Sequence, residues 1–424
     1  MAAGPGSPSI VVLTGLAWLV LASLLGLALL IGIMRGTPLS PALIPIHVHG
    51  ALVGGMLQLL IGMFLMSPSN VRTGRGALSF RYLFFNLAAV ALLVGFSLRD
   101  HRLVGAAGAA VIAALLFWSK EIGRFFFHDQ EEAVQRFYYG FTLFALAGGL
   151  VIGAGLSFDL FQIRYGHARL AHIHLTVLAF MTLTFIGLIQ QWVPEVLGRP
   201  VSRPGLETAA LILLPAGTAG LLTGFWLSSL EIQLAAGGVF FIGIALHTVN
   251  HLATWIKAGQ PGSSASDHLL AANVFLLLTT AIGLAVSLNS LWSPPFLPYG
   301  KLHIVAYTHA AFIGFMLQAV MGGLSFLLPT WMASGVAGLK KRAPYLAGLL
   351  EIMNRWRAVQ LFSLSGGALG LSLVASLTWS MPLASTSIHA AAWTSVGLLA
   401  VSLALFCAKV AQAFALRPGS DRTP

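Results

Sequence analysis

Two histidines stand at the head of a long apolar run, in the stretch Ile46-His47-Val48-His49-Gly50-Ala51-Leu52-Val53-Gly54-Gly55. The pattern recurs at Ala171-His172-Ile173-His174-Leu175, and again from Leu302-His303 through Tyr307-Thr308-His309-Ala310-Ala311-Phe312-Ile313-Gly314. Aligning His49, His174 and His309 leaves His47, His172 and Tyr307 two residues upstream, and a small residue, Gly54, Ala179 or Gly314, five residues downstream. Neutral imidazole is the commonest side-chain ligand for metals and an axial ligand of heme iron. Three matched imidazoles are therefore three candidate ligands.

Helical geometry sorts these residues. Positions i and i+2 lie about 200° apart on a helix, so His47 and His49 face different neighbours, as do His172 and His174. Such pairs do not chelate one ion; each member serves its own side of the helix. His303 and His309, about 240° apart, also diverge. The plain alternative for His47 and His172 is hydrogen bonding to lipid headgroups or loop carbonyls. His247 and His251 are spaced i, i+4 and share a face, which is chelate geometry, but their place toward the opposite helix end favours a structural or capping role. His101, His128, His167 and His268 read as solvated loop or edge residues.

The elements that must position these rings are membrane helices. Of 424 residues, 57% are hydrophobic and 8% charged, and mean hydropathy is +0.87. A soluble chain carries roughly 25% charged residues. Spanning a bilayer takes about 20 mostly apolar residues, and helices satisfy their own backbone in lipid. The expectation is an all-α polytopic membrane protein forming a single transmembrane domain over 1–424. Its twelve helices fall at roughly 10–34, 41–66, 80–98, 103–119, 137–160, 169–195, 205–227, 232–256, 268–292, 302–330, 357–378 and 386–412. Arg35-Gly36-Thr37-Pro38, Arg199-Pro200 with Arg203-Pro204, and Ser293-Pro294-Pro295 mark breaks; 120–136 and 331–356 read as charged loops. Met1–Ser9 has no Lys or Arg, so the first run reads as a retained helix rather than a cleaved signal. The only cysteine, Cys407, leaves no intrachain disulfide or thiolate cluster.

The net charge of +11 belongs to many short loops and follows the positive-inside rule; no nucleic-acid partner is expected. Twelve helices place both termini on one side. Only Arg35, Arg99, Arg102, Arg164, Arg169 and Lys301 of the 23 basic residues fall opposite, so both termini are expected in the cytoplasm, across the inner membrane. The second, sixth and tenth helices then enter from the outer face. At 1.5 Å per residue, His49, His174 and His309 lie at similar depth, on the order of 10 Å below the outer edge. All twelve acids fall at helix ends or in loops, which argues against redox-driven proton pumping.

Twelve helices with outer-side histidines on the second, sixth and tenth resemble subunit I of the heme-copper oxidase superfamily, which includes oxygen-reducing oxidases and nitric oxide reductases. The phrase His172-Ile173-His174-Leu175-Thr176-Val177, and His309 through Phe315, are similar to that superfamily's histidine-opening helices. His47-Val48-His49 with Gly54, and His174-Leu175-Thr176-Val177 followed by Met181-Thr182-Leu183, resemble the NnrS family of heme- and copper-containing membrane proteins linked to nitric oxide stress. A pseudo-three-fold arrangement fits the spacing of 125 and 135 residues between His49, His174 and His309.

The resemblance implies a b-type heme held by His49 (or His47) and His309. It implies copper or another metal on His174 or His172. The proximal position of a second heme falls on Tyr307, or is displaced to His303. The superfamily's copper-binding pair on the seventh helix has no counterpart here, because 206–227 contains no histidine; a simplified member is expected. Its implied partners are a small gas, nitric oxide or oxygen, an electron-donor subunit or quinol, and membrane lipid. An open iron position beside a second metal would make it an oxidoreductase, with Tyr307 donating a hydrogen bond or proton; two closed positions would make it an electron carrier. The rival reading is a carrier of a metal ion or small solute with histidines along its path.

Overall fold

The computed structural model describes residues 7–37, 39–67, 70, 75–130, 132–296, 301–378 and 380–418. Among them there is no β-strand. The long helices are α1 (Pro8–Met34), α2 (Leu43–Leu65), α3 (Arg75–Leu98), α4 (His101–Phe117), α5 (Ala133–Ser157), α6 (Gln162–Leu197), α7 (Pro204–Leu227), α8 (Leu230–Lys257), α9 (Ser264–Asn289), α10 (Ile304–Ser334), α11 (Arg357–Leu377) and α12 (Thr386–Ala415). Eleven helices among the described residues are long and apolar enough to cross a bilayer; α4 and Ser119–His128, meeting at a 55° bend, make a twelfth if taken as one span. Large apolar side chains such as Leu24, Phe144, Val151 and Phe362 point outward, as a lipid-facing surface requires.

The chain divides into two compact units. One runs to Thr184 and takes back Leu222–Ser229; the other holds Phe185–Leu221 and the chain from Leu230 onward. In the first, α1 packs along α2, α3 on α4, α4 on α5, and α5 on the start of α6. Small residues bring α1 and α2 together: a Cβ on Gly55 would meet Leu19 at 2.5 Å, and one on Gly62 would meet Val12 at 2.6 Å. Close backbone approach at small residues is the usual basis of helix association in lipid. In the second unit, α8 packs on α9, α9 on α10, α10 on α11 and α11 on α12.

Burial singles out three helices. In α2, α6 and α10 the most apolar stretch is 72%, 61% and 67% buried, against 22–39% in the other eight spans. These are the three helices headed by the matched histidines. Each also changes winding there: π-helical segments run over Gly50–Leu57, His174–Thr182 and Ala310–Leu317. Such i→i+5 segments are rare and often mark functional sites.

Two stretches expected as loops are partly helical. Residues 120–136 begin with Ser119–Gly123 and a π turn, Arg124–His128. Glu121 is buried there, accepting from Arg81 on both oxygens at 2.9 Å, and Phe125 and Phe126 pack on Phe64 and Tyr139. Residues 331–356 contain a helix, Leu339–Asn354, that buries Tyr345, Leu349, Ile352 and Met353. Those four positions follow the helical period, although Lys340, Lys341 and Arg342 make the stretch look like a loop by composition. Helix α6 begins at Gln162, several residues before its expected start.

Candidate functional site

His49, His174 and His309 share one local construction. Each lies one turn beyond a carbonyl that accepts its Nδ1–H: Pro45 at 2.9 Å, Leu170 at 2.8 Å and Val305 at 2.8 Å. A carbonyl only accepts, so Nδ1 carries the proton and, in the neutral ring, Nε2 keeps the lone pair. This tautomer and tether are what an imidazole ligand needs: second-shell bonding at one nitrogen orients the other. Nε2 of His49 and of His174 has no hydrogen-bond partner among the described residues. Ring packing adds orientation. His49 lies against Phe96 of α3, centroids 4.6 Å apart, and His174 against Phe225, 4.2 Å apart. Downstream, a Cβ on Gly54 would meet the Trp18 ring at 2.5 Å, and one on Gly314 would meet Phe275 at 2.1 Å.

The residues two positions upstream do a different job. His47 donates Nδ1–H to Ala22 of α1 at 2.9 Å, and His172 to Gly149 of α5 at 2.7 Å. Each ring rests on a glycine of the same helix, where a Cβ would lie 2.8 Å (Gly26) or 2.6 Å (Gly153) from it. Tyr307 is placed likewise: a Cβ on Gly283 of α9 would come within 3.4 Å of its hydroxyl. The acceptors are thus helix carbonyls rather than headgroups or loops. His303 lies in the helical stretch Lys301–His309 that leads into α10; its side chain lies outside the described residues.

His49 and His174 each present a tethered ring whose Nε2 is the kind of donor an axial ligand uses. His174 is tethered within its own helix and His172 to Gly149 of α5, so a metal on His174 or His172 would take one ring of the pair. Among the described residues no three His, Cys, Asp or Glu side chains converge as a metal site would require.

Elsewhere the second unit holds buried polar chemistry. His247 and His251 are both buried, their ring centroids 4.1 Å apart. Asn273 links them: His247 Nε2–H donates to its Oδ1 at 2.9 Å, and its Nδ2 donates to His251 Nδ1 at 3.1 Å. His247 Nδ1 is buried without a hydrogen-bond partner among the described residues, and His251 lines a small crevice with Asn273, Ser266 and Trp255. A further residue overturns its sequence reading. His268 is not a solvated edge residue but fully buried, bonded to Gln318 and Gln360. It sits one turn inside α9, where its periodicity turns it inward. Lys409, inside α12, is 4% exposed.

Helices of this length, composition and outward apolarity define an all-α, multi-pass membrane protein. No family model matches the chain, and no curated protein matches it.

Proposed function

We propose that the chain is a heme-binding membrane protein of respiratory type that binds or reduces nitric oxide or oxygen, or carries electrons. What carries the reading is the common preparation of His49, His174 and His309: Nδ1–H tethered one turn back, at the head of a π-helical segment in a mostly buried helix. A histidine within a membrane helix is costly and calls for a function, and three with one construction ask for one explanation. Heme, when bound, supplies a one-electron couple and, where an axial position is open, a place for a diatomic gas.

This chain's residues do the rest. Pro45 and Leu170 hold the tautomer of His49 and His174, and Phe96 and Phe225 hold the ring planes. His309, with Nδ1 tied to Val305, is the corresponding residue of α10, and Tyr307 brings a phenol that can donate a hydrogen bond. His47 and His172 secure the helix pairs. The apolar helices exclude water. The protein lies in the inner membrane with both termini cytoplasmic, as its basic residues favour, and takes electrons from a quinol or partner subunit.

A visible absorption spectrum of the detergent-purified protein, oxidised and then dithionite-reduced, tests this. Sharp reduced bands are expected, diminished in His49→Ala and His309→Ala, with carbon monoxide reporting any open iron. A featureless spectrum from cells supplied with heme would remove the reading. The rival, a carrier of a metal ion or small solute, has one observation on its side: Lys409 is an ionisable group inside a membrane helix. Flux into vesicles by heme-free protein would establish it.

A further inference from the structure

The interior of α9–α12 contains a chain of polar side chains whose orientation is dictated from one end. Lys409 Nζ donates to Gln360 Oε1 at 2.5 Å and to the Met353 carbonyl at 3.0 Å. An ammonium has donors only, so the charged lysine requires the oxygen of Gln360 and turns its NH2 the other way. That NH2 faces His268 Nε2 at 3.1 Å, which must therefore be the unprotonated nitrogen. His268 Nδ1–H then donates to Gln318 Oε1, and Gln318 Nε2 donates to Ser365 Oγ at 2.9 Å. Gln360, Gln318 and His268 are fully buried.

Among the described residues no carboxylate completes this cluster. Asp267, next to His268, faces Arg357 at 3.8 Å, and Glu351 on the Leu339–Asn354 helix is exposed. On α8, which packs against α9, His247 and His251 are engaged with Asn273. On α10 the nearest titratable group in sequence is His309, nine residues and about 14 Å along the axis from Gln318. Arg357 is the basic residue α11 brings, and on α12 Cys407 is half-buried.

We propose that Lys409, Gln360 and His268 form an intramembrane site for one proton. Two bases share one carboxamide that satisfies only one charged form at a time. With Lys409 charged, Gln360 Oε1 faces it and His268 is neutral. For His268 to be charged, its Nε2–H needs that same oxygen, so the amide must turn over, its NH2 now facing a neutral lysine. Protonating one base thus disfavours protonating the other, and Gln360 records which holds the proton. The exchange is simple proton transfer with bulk water: hydronium gives its proton to a free nitrogen and leaves as water. Lys409 lies in the last two turns of α12 beside Met353, near one end of the span, which is the side from which the proton arrives. This inference does not depend on heme.

The test is nitrogen magnetic resonance of the full-length protein in bilayers, labelled with ¹⁵N-histidine, with His268 assigned by its loss in His268→Gln. Wild-type His268 is expected as the neutral Nδ1–H tautomer while Lys409 is charged. In Lys409→Met it should take up a second proton at a pH higher by about one unit or more, a tenfold change in proton concentration. Lys409→Arg, which keeps the charge, should leave it neutral. Should Lys409→Met not fold, Lys409→Gln keeps a hydrogen-bond donor for the Met353 carbonyl without the charge, and because its amide can serve either end of Gln360 the same upward displacement is expected. Identical titration of His268 in wild type and in the foldable variant, or a doubly protonated His268 beside a charged Lys409, would overturn the proposal.

Discussion

His172 donates an Nδ1–H hydrogen bond to the carbonyl of Gly149, 2.7 Å away on the preceding helix. His47 does the same to Ala22, so two of the chain's histidines are fasteners between neighbouring helices. Filling the glycine beneath either ring should dislodge it. Gly153→Val and Gly26→Val are each expected to destabilise the protein by about 1–3 kcal/mol through overpacking. Thermal unfolding in detergent measures this, and an unchanged midpoint in both variants would show that the rings are not held as described.

His49 should behave differently from His47, two residues away. If the chain binds heme as proposed, His49→Gly is expected to lose most of the heme absorbance and to regain it when imidazole is added, because the small ligand stands in for the missing ring. His47→Gly should unfold at lower temperature yet keep its bands. Equal spectral loss in both, with no rescue, would count against the distinct roles of the two rings.

The Arg81–Glu121 pair supplies a stability prediction. Glu121 is 2% exposed. Arg81→Met strands its carboxylate, at a cost of about 3–5 kcal/mol. Adding Glu121→Leu should recover most of that, since removing both charges avoids the uncompensated one. The fraction of monodisperse protein surviving heating reports the outcome; a double variant no better than Arg81→Met would contradict it.

Asn273→Leu removes the partner of both His247 and His251. Leaving a buried polar group unsatisfied costs about 1–3 kcal/mol, so the variant should unfold well below wild type while any heme bands stay in place. A heme spectrum that changes with Asn273 would tie this cluster to the proposed heme instead.

The sequence by itself determined the helices and the residues worth attention. Long apolar runs with few charges can only be helices in lipid, and the breaks at Pro, Gly and Arg set their order. The 200° between i and i+2 also told that His47 and His49, or His172 and His174, turn to different neighbours. Only the tertiary structure decided which neighbours these are: α1 for His47, Phe96 for His49, α5 for His172, Phe225 for His174. Periodicity gives direction about one helix axis and nothing about what stands opposite. For the same reason composition read 339–354 as a loop, although four of its side chains reach a packing surface. It likewise read His268 as solvated, although carboxamides on two other helices complete its hydrogen bonds. A buried polar group is tolerable only where partners from distant parts of the chain converge on it, and that convergence belongs to the fold.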